Sequence, residues 1–490
     1  MHHFKKLSSL EVKLYLDSIC ALTFIGVFTG ACSGVNAPTP NPDHLVLASG
    51  NNQQGTVGNA LSSPMKVQVL DSVGTPYPSG MKLAISRMLG FDSLPSQTAI
   101  VTTDSYGYAS FNGTFGFSPG AWQVFPIGTT LPGISKINFS QSPLSYGNGS
   151  FTAGSSITTP TNVHEIIAVA DFNKDGNQDF VVVAGTSVDV YLGNGDGTFK
   201  AGAGISGLSN AQAVAVGDFN GDGIPDLFVT DVGNNSAYSY LGNGDGSFAL
   251  TQTFSSLGAN PRHVAVADIN NDGVLDVAFT MQSPSNTIAV LKGNGDGTFT
   301  KLTSVPVNTN PWGLAFGDFN ADGILDLVVT NQGSGNMSVF KGNGDGTFTA
   351  LNTISAGLSG PSGVVVGDFN KDGKLDLAVG NDSSTHISIF LGNGDGTFTT
   401  GSTISTPTAG AYLSLGDFNG DGNIDIVHSY YGGTSVRVFL GNGDGTFNAG
   451  SVLNVTGPMQ TAIGDFNNDG KLDFVTPTLS STTVNVYLGN

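Results

Sequence analysis

Cysteine is nearly absent from this 490-residue chain: Cys20 and Cys32 are the only two, so no disulfide framework holds the rest together. Glutamate is equally scarce, with Glu11 and Glu165 alone, although the formal net charge is -20. The acidity is therefore almost all aspartate, and aspartate at fixed spacing points to sites rather than to a solvated coat. Basic residues number only 17 and form no cluster in the body of the chain, which removes the electrostatic basis for nucleic-acid binding. No helical period of useful length appears between His44 and Ser140, and no strict glycine triplet runs through the chain, so collagen is excluded. What is abundant is glycine: 70 residues, roughly twice the usual share of about 7%, imply many tight turns. The length alone suggests two to four domains.

The first 32 residues read as an export signal. His2, His3, Lys5, Lys6 and Lys13 precede an apolar stretch from Ser18 to Ala31 that ends in small residues, and that stretch is shorter than the roughly 20 residues a membrane span needs. A secreted or cell-surface bacterial protein is expected. Thr29-Gly30-Ala31-Cys32 resembles a bacterial lipoprotein processing site, in which Cys32 would carry the lipid anchor. Thr29 stands where that family has a leucine-like residue, and ordinary cleavage nearby is the alternative.

A Pro- and Asn-rich linker, residues 33–43, leads to a block over 44–141 with strand-like runs such as Met65–Leu70 and Gln97–Val101 between turn residues. This spacing fits an immunoglobulin-like β-sandwich. The wording of Ser49–Gly58, Val67–Asp71 and Thr103–Ser110 resembles the bacterial immunoglobulin-like repeats of the invasin and intimin type, which implies a spacer or adhesion stalk.

From Tyr146 the chain is periodic. Seven loops begin at Asp171, Asp218, Asp268, Asp318, Asp368, Asp417 and Asp465, at intervals of 47 to 50 residues, which suits four-stranded blades. The expected fold is all-β: a seven-bladed β-propeller over 147–490. The chain stops at the third strand of a repeat, Val486–Asn490, while the missing turn and strand start occur at the front as Gly147–Phe151. The amino-terminal segment should therefore supply the outer strand of the last blade and leave no free sheet edge.

Each loop reads D-x-N-x-D-G-x-x-D. The oxygen-bearing side chains are Asp171, Asn173, Asp175 and Asp179; Asp218, Asn220, Asp222 and Asp226; Asp268, Asn270, Asp272 and Asp276; Asp318, Asn320, Asp322 and Asp326; Asp368, Asn370, Asp372 and Asp376; Asp417, Asn419, Asp421 and Asp425; Asp465, Asn467, Asp469 and Asp473. Position 7 would offer a backbone carbonyl from Asn177, Ile224, Val274, Ile324, Lys374, Asn423 or Lys471. Hard Ca²⁺ takes six to eight oxygens, and EF-hand loops supply them from this spacing with glycine at position 6. Here no glutamate follows at position 12, so the position-9 aspartate is expected to close the shell between two strands. Asp, Asn and Gly also favour plain turns, but three carboxylates crowded seven times over repel one another without a cation. Seven bound Ca²⁺ would bring the formal charge from -20 to about -6. Position 2, Phe in six copies and Ile269 in one, suggests an apolar anchor under the loop.

The Gly-Asn-Gly-Asp-Gly turns lack the lysine and following helix of a phosphate loop and suit tight hairpins beside the neighbouring acidic loop. Together these residues resemble the FG-GAP or VCBS repeats of integrin α-subunit propellers and many secreted bacterial proteins. The resemblance implies calcium on one face and ligand contact on the other. By alternation that other face carries Asn234–Asn235, Arg262–His263, Asn310–Trp312, His386, Tyr412, Tyr430–Tyr431 and Met459–Gln460, as candidate contacts for an extracellular protein or glycan or as rim packing. No Ser-His-Asp order and no HExxH motif occurs. A non-enzymatic binding or adhesion module is the favoured reading; an extracellular polysaccharide-degrading enzyme is the alternative.

Overall fold

The computed structural model describes residues 148–490, apart from 164–165, 256–257, 356 and 431, together with the course of eight strands between Pro42 and Pro143. The expected signal segment, Cys32 and most of the linker lie outside the described residues. Of the block over 44–141, two three-stranded antiparallel sheets and one two-stranded parallel pair are described. Whether they form an immunoglobulin-like sandwich lies outside what is described.

Residues 148–490 form seven sheets of four principal strands, each sheet antiparallel in simple up-and-down order. Blade two shows the pattern: Ala211–Gly217, Asp226–Asp231, Ser236–Gly242 and Phe248–Phe254. Its second strand is buried throughout, while the fourth alternates with exposed residues, as an outermost strand must. First strands of successive blades pack on one another around the axis. β-Branched and aromatic residues dominate the inner strands because each faces a neighbouring blade on both sides.

The apolar cores lie between blades, and seven blades in a closed ring have seven such seams. Val181, Val190, Val214 and Val229 share the seam of blades one and two; Val169, Val182, Val475 and Val486 share that of blades seven and one. Closure is as expected. Phe151–Thr158 pairs antiparallel with Thr483–Gly489 and completes blade seven, from Phe151 opposite Gly489 to Thr158 opposite Thr483.

The buried position-2 residues brace the seams at one end. Phe172 meets Phe248 of the next blade edge to face at 5.4 Å, and Phe219–Phe299, Phe319–Phe398 and Phe369–Phe447 repeat the contact. Phe418–Phe151 and Phe466–Phe199 carry it across the ring closure. Such pairs contribute about 0.5–1.5 kcal/mol each beyond the area they bury. Where Ile269 replaces phenylalanine, it packs in the same seam as Phe348.

Candidate functional site

The seven acidic loops each join a first strand to a second, so all lie on one face. Their geometry repeats closely. The position-1 carboxylate receives the N–H of position 5 on Oδ1 and that of the position-6 glycine on Oδ2, as in Asp368 with Asp372 at 3.1 Å and Gly373 at 2.9 Å. The asparagine at position 3 accepts from the same position-5 N–H: Asn370 Oδ1 lies 3.0 Å from the Asp372 nitrogen. Asp368 Oδ1 and Asn370 Oδ1 therefore converge on one point. Glycine at position 6 is required there, with φ of +82° at Gly373. Asp372 Oδ1 in turn receives the Lys374 N–H at 2.9 Å, leaving Oδ2 for other partners.

The position-9 aspartates are placed differently. They are almost fully buried, and both oxygens accept backbone N–H groups. Asp376 Oδ2 takes the N–H of Phe369 at 2.9 Å and Oδ1 that of Gly392 at 2.8 Å. The same pair of bonds recurs at Asp179, Asp226, Asp276, Asp326, Asp425 and Asp473. This residue straps the loop to the end of the third strand, and its second lone pairs are what it has left for an ion.

The carboxyl groups are held far from their ordinary range. Burial pushes Asp179, Asp226 and Asp276 up to about 7 and Asp425 and Asp473 to about 8, with the position-1 and position-5 carboxylates adding to the rise against the backbone hydrogen bonds. Burial likewise raises Asp465 to about 7 and Asp268 to about 6. Among the described residues no three His, Cys, Asp or Glu side chains converge closely enough to hold an ion unaided. An ion here would have to draw on the asparagine amide oxygen and a backbone carbonyl as well as on carboxylates. An all-oxygen set of this kind, with like charges held together by the fold, fits a hard cation such as Ca²⁺.

The glycine turns pack against these loops. Gly195 and Gly197 have φ of +75° and +79°, and Gly197 donates to the carbonyl of Phe466 in the preceding blade at 2.8 Å. Gly246 to Phe172 and Gly445 to Phe369 follow suit. Asp196 caps its own turn, accepting from the Thr198 N–H at 3.0 Å. The first glycine of each turn serves another need, which turn chemistry alone does not reveal. A Cβ on Gly342 would stand 2.1 Å from the Leu325 carbonyl oxygen, and Gly193, Gly242, Gly293, Gly392, Gly441 and Gly489 are equally close to their neighbours. Its recurrence in every repeat is the signal that marks it.

The opposite face differs from blade to blade. Several expected contacts are packed instead: Tyr430 is fully buried, and Tyr412 joins Met459 in a small apolar cluster. Alternation gave the face correctly but not the depth. Tyr431 lies outside the described residues. Asn235 bonds the Asn260 N–H through Oδ1, and Arg262, His263 and Trp312 come together beside two glutamines.

No curated protein matches the chain. Among solved structures, the crystal structure of BBS1N in complex with ARL6DN, soaked with mercury, is 13% identical, covers 69% of this chain and 97% of that one, and superposes with a TM-score of 0.52. The same complex soaked with lead gives 0.51 at 13% identity and the same coverage. A protein from Lactobacillus plantarum, 13% identical over 78% of this chain and 98% of its own, has a TM-score of 0.48. At such identity the likeness to BBS1N concerns the fold alone. The FG-GAP-like repeat pattern, by contrast, matches residues 171–229, 218–279, 279–329, 318–379, 368–428 and 417–476. The chain belongs to the FG-GAP-like repeat family.

Proposed function

We propose that the chain is an exported, non-enzymatic binding module whose propeller is braced by up to seven Ca²⁺ ions on one face and contacts an extracellular protein or glycan with the other. The observation that carries this reading is the sevenfold recurrence of converging carboxylate and amide oxygens beside aspartates whose carboxyl groups burial raises. Asp, Asn and the position-7 carbonyl would hold the ion; the ion would supply the positive charge that lets those carboxylates ionise within the fold.

The export signal, a lipid anchor at Cys32 and an immunoglobulin-like stalk belong to the same proposal, and would place the propeller away from a bacterial surface. His263, His386 and His428 sit in three different blades, two of them buried, so the polysaccharide-degrading alternative gains no observation in its favour.

Metal analysis of the purified protein with a thermal melt in calcium and in chelator tests the metal reading. Calcium near seven per chain and a clear drop in melting temperature on chelation are expected. A melt that does not change after the metal is removed would overturn it. A screen of glycans and proteins against the calcium-loaded chain tests the binding reading, and a chain that captures nothing would sink that part alone.

A further inference from the structure

The seven repeats are nearly uniform at the acidic loops, but at the start of the first strand they diverge. At the equivalent positions of blades two to five stand Gln212, Arg262, Trp312 and Ser362. Their backbone is fixed from blade to blade: the hydroxyl of Thr230 donates to the Arg262 carbonyl at 2.8 Å and that of Thr280 to the Trp312 carbonyl at 3.1 Å. These side chains lie at the ends of the strands remote from the acidic loops.

Arg262 is one of only three arginines in a chain of net charge -20, yet the ion pairs among the described residues all lie at the acidic loops and none involves it. It is aimed instead by two neutral acceptors. Nη1 donates to Gln212 Oε1 at 2.6 Å and Nε to Gln282 Oε1 at 3.1 Å, and both glutamines are more than nine-tenths buried. Its guanidinium carbon lies 5.6 Å from the centroid of the Trp312 ring. Two further donors beside it lack partners: Gln282 Nε2 and Trp312 Nε1 are both buried and unbonded. His263, 5.3 Å from Trp312, is buried, and burial with the Arg262 charge lowers it to about 3, so it stays neutral and Nε2 too has no partner.

A half-buried guanidinium with spare N–H groups beside two orphan donors, one of them on an indole, is a set that asks for acceptors. Leaving such donors unmet in the folded protein costs free energy that a ligand would recover. The guanidinium fork matches a carboxylate in particular, and indole beside it suits the apolar face of a sugar ring. A polyanion is disfavoured by the protein's own negative charge. We propose that Gln212, Arg262, Gln282 and Trp312 form a binding site for a single carboxylated sugar, such as a terminal uronic acid, on an otherwise neutral glycan. This rests on the reading of the chain as a binding module and names its ligand class.

Titration calorimetry on the full calcium-loaded chain tests it with three probes: a glucose oligosaccharide ending in glucuronate, the same oligosaccharide ending in glucose, and a short acidic peptide. The glucuronate probe should bind at least about tenfold more tightly than the neutral one. Arg262→Met should remove that preference, and Arg262→Lys, which keeps charge but not the fork, should lose about fivefold or more. The melting temperature and calcium content of each variant report whether it is folded. Equal binding of both sugars, no binding of either, unchanged binding by folded Arg262→Met, or tighter binding of the peptide would each overturn the assignment. The binding-module reading would then still be decided by the wider screen.

Discussion

The ammonium of Lys292 lies 2.8 Å from Asp272 Oδ2, reaching from the third strand of blade three across to position 5 of its acidic loop. Lys341 does the same to Asp322 at 2.9 Å, and Lys374 and Lys471 lean on Asp372 and Asp469 from within their own loops at 3.5 and 3.7 Å. In blades one, two and six an amide takes that place, Asn173, Asn220 and Asn419 each donating to the position-5 carboxylate at 2.9 Å. Four loops thus hold a lysine ammonium at position 5 and three do not. Calcium titration should resolve about three tighter sites and four weaker ones, and Lys292→Met with Lys341→Met should tighten their loops by about two- to fivefold, the range of a part-exposed ion pair. Seven equal sites in both proteins would refute the distinction.

The buried aspartates set a pH dependence for the metal-free chain. With Asp425 and Asp473 up at about 8 and Asp179, Asp226 and Asp276 at about 7, against 3.8 ordinarily, the folded state binds more protons than the unfolded one between about pH 4 and pH 8. Stability in chelator should therefore fall as pH rises through that window. Calcium, which binds the ionised form, should flatten or reverse the slope. Denaturant melts at about pH 5 and about pH 8, with and without calcium, read this directly.

Position 9 and position 5 should separate structure from metal. Asp376→Asn replaces one of the two oxygens facing the Phe369 and Gly392 amides with an NH₂ group, so it should cost about 1–3 kcal/mol even in chelator, before any loss of calcium binding is added. Asp372→Asn keeps the acceptor for the Lys374 N–H. It should be nearly silent in chelator and lose only calcium-dependent stabilisation.

Gly342→Ala drives a methyl group against the Leu325 carbonyl at the end of the third strand. A loss of about 1–3 kcal/mol or more is expected by chemical denaturation, since backbone rather than a flexible side chain must move.

Deleting residues 148–158 exposes the Thr483–Gly489 edge of blade seven. The truncated chain should lose thermal stability and self-associate on size-exclusion chromatography, because an unpaired strand is a template for another chain.

The ring, its closure and the acidic loops were legible in the sequence because each is written as a repeat: one aspartate spacing, one apolar residue at position 2, one strand missing at the end and present at the front. What stayed hidden depends on depth or on contacts across strands. Tyr430 and Tyr412 fall on the expected face, yet strand alternation cannot say that they are packed. Lys292 is 20 residues from Asp272, and only the hairpin brings them together. The strap formed by position 9 was equally invisible, since a carboxylate bonded to two amides and one bonded to a metal are spelled alike.

Closure by Phe151–Thr158 also fixes when the molecule can become itself. That strand is among the first parts of the ring to be synthesised, and its partner, Thr483–Gly489, is the last. At ordinary translation rates the two are born about 20 to 70 seconds apart. Throughout that interval the ring stays open, with the Phe151–Thr158 strand waiting for the partner that locks it.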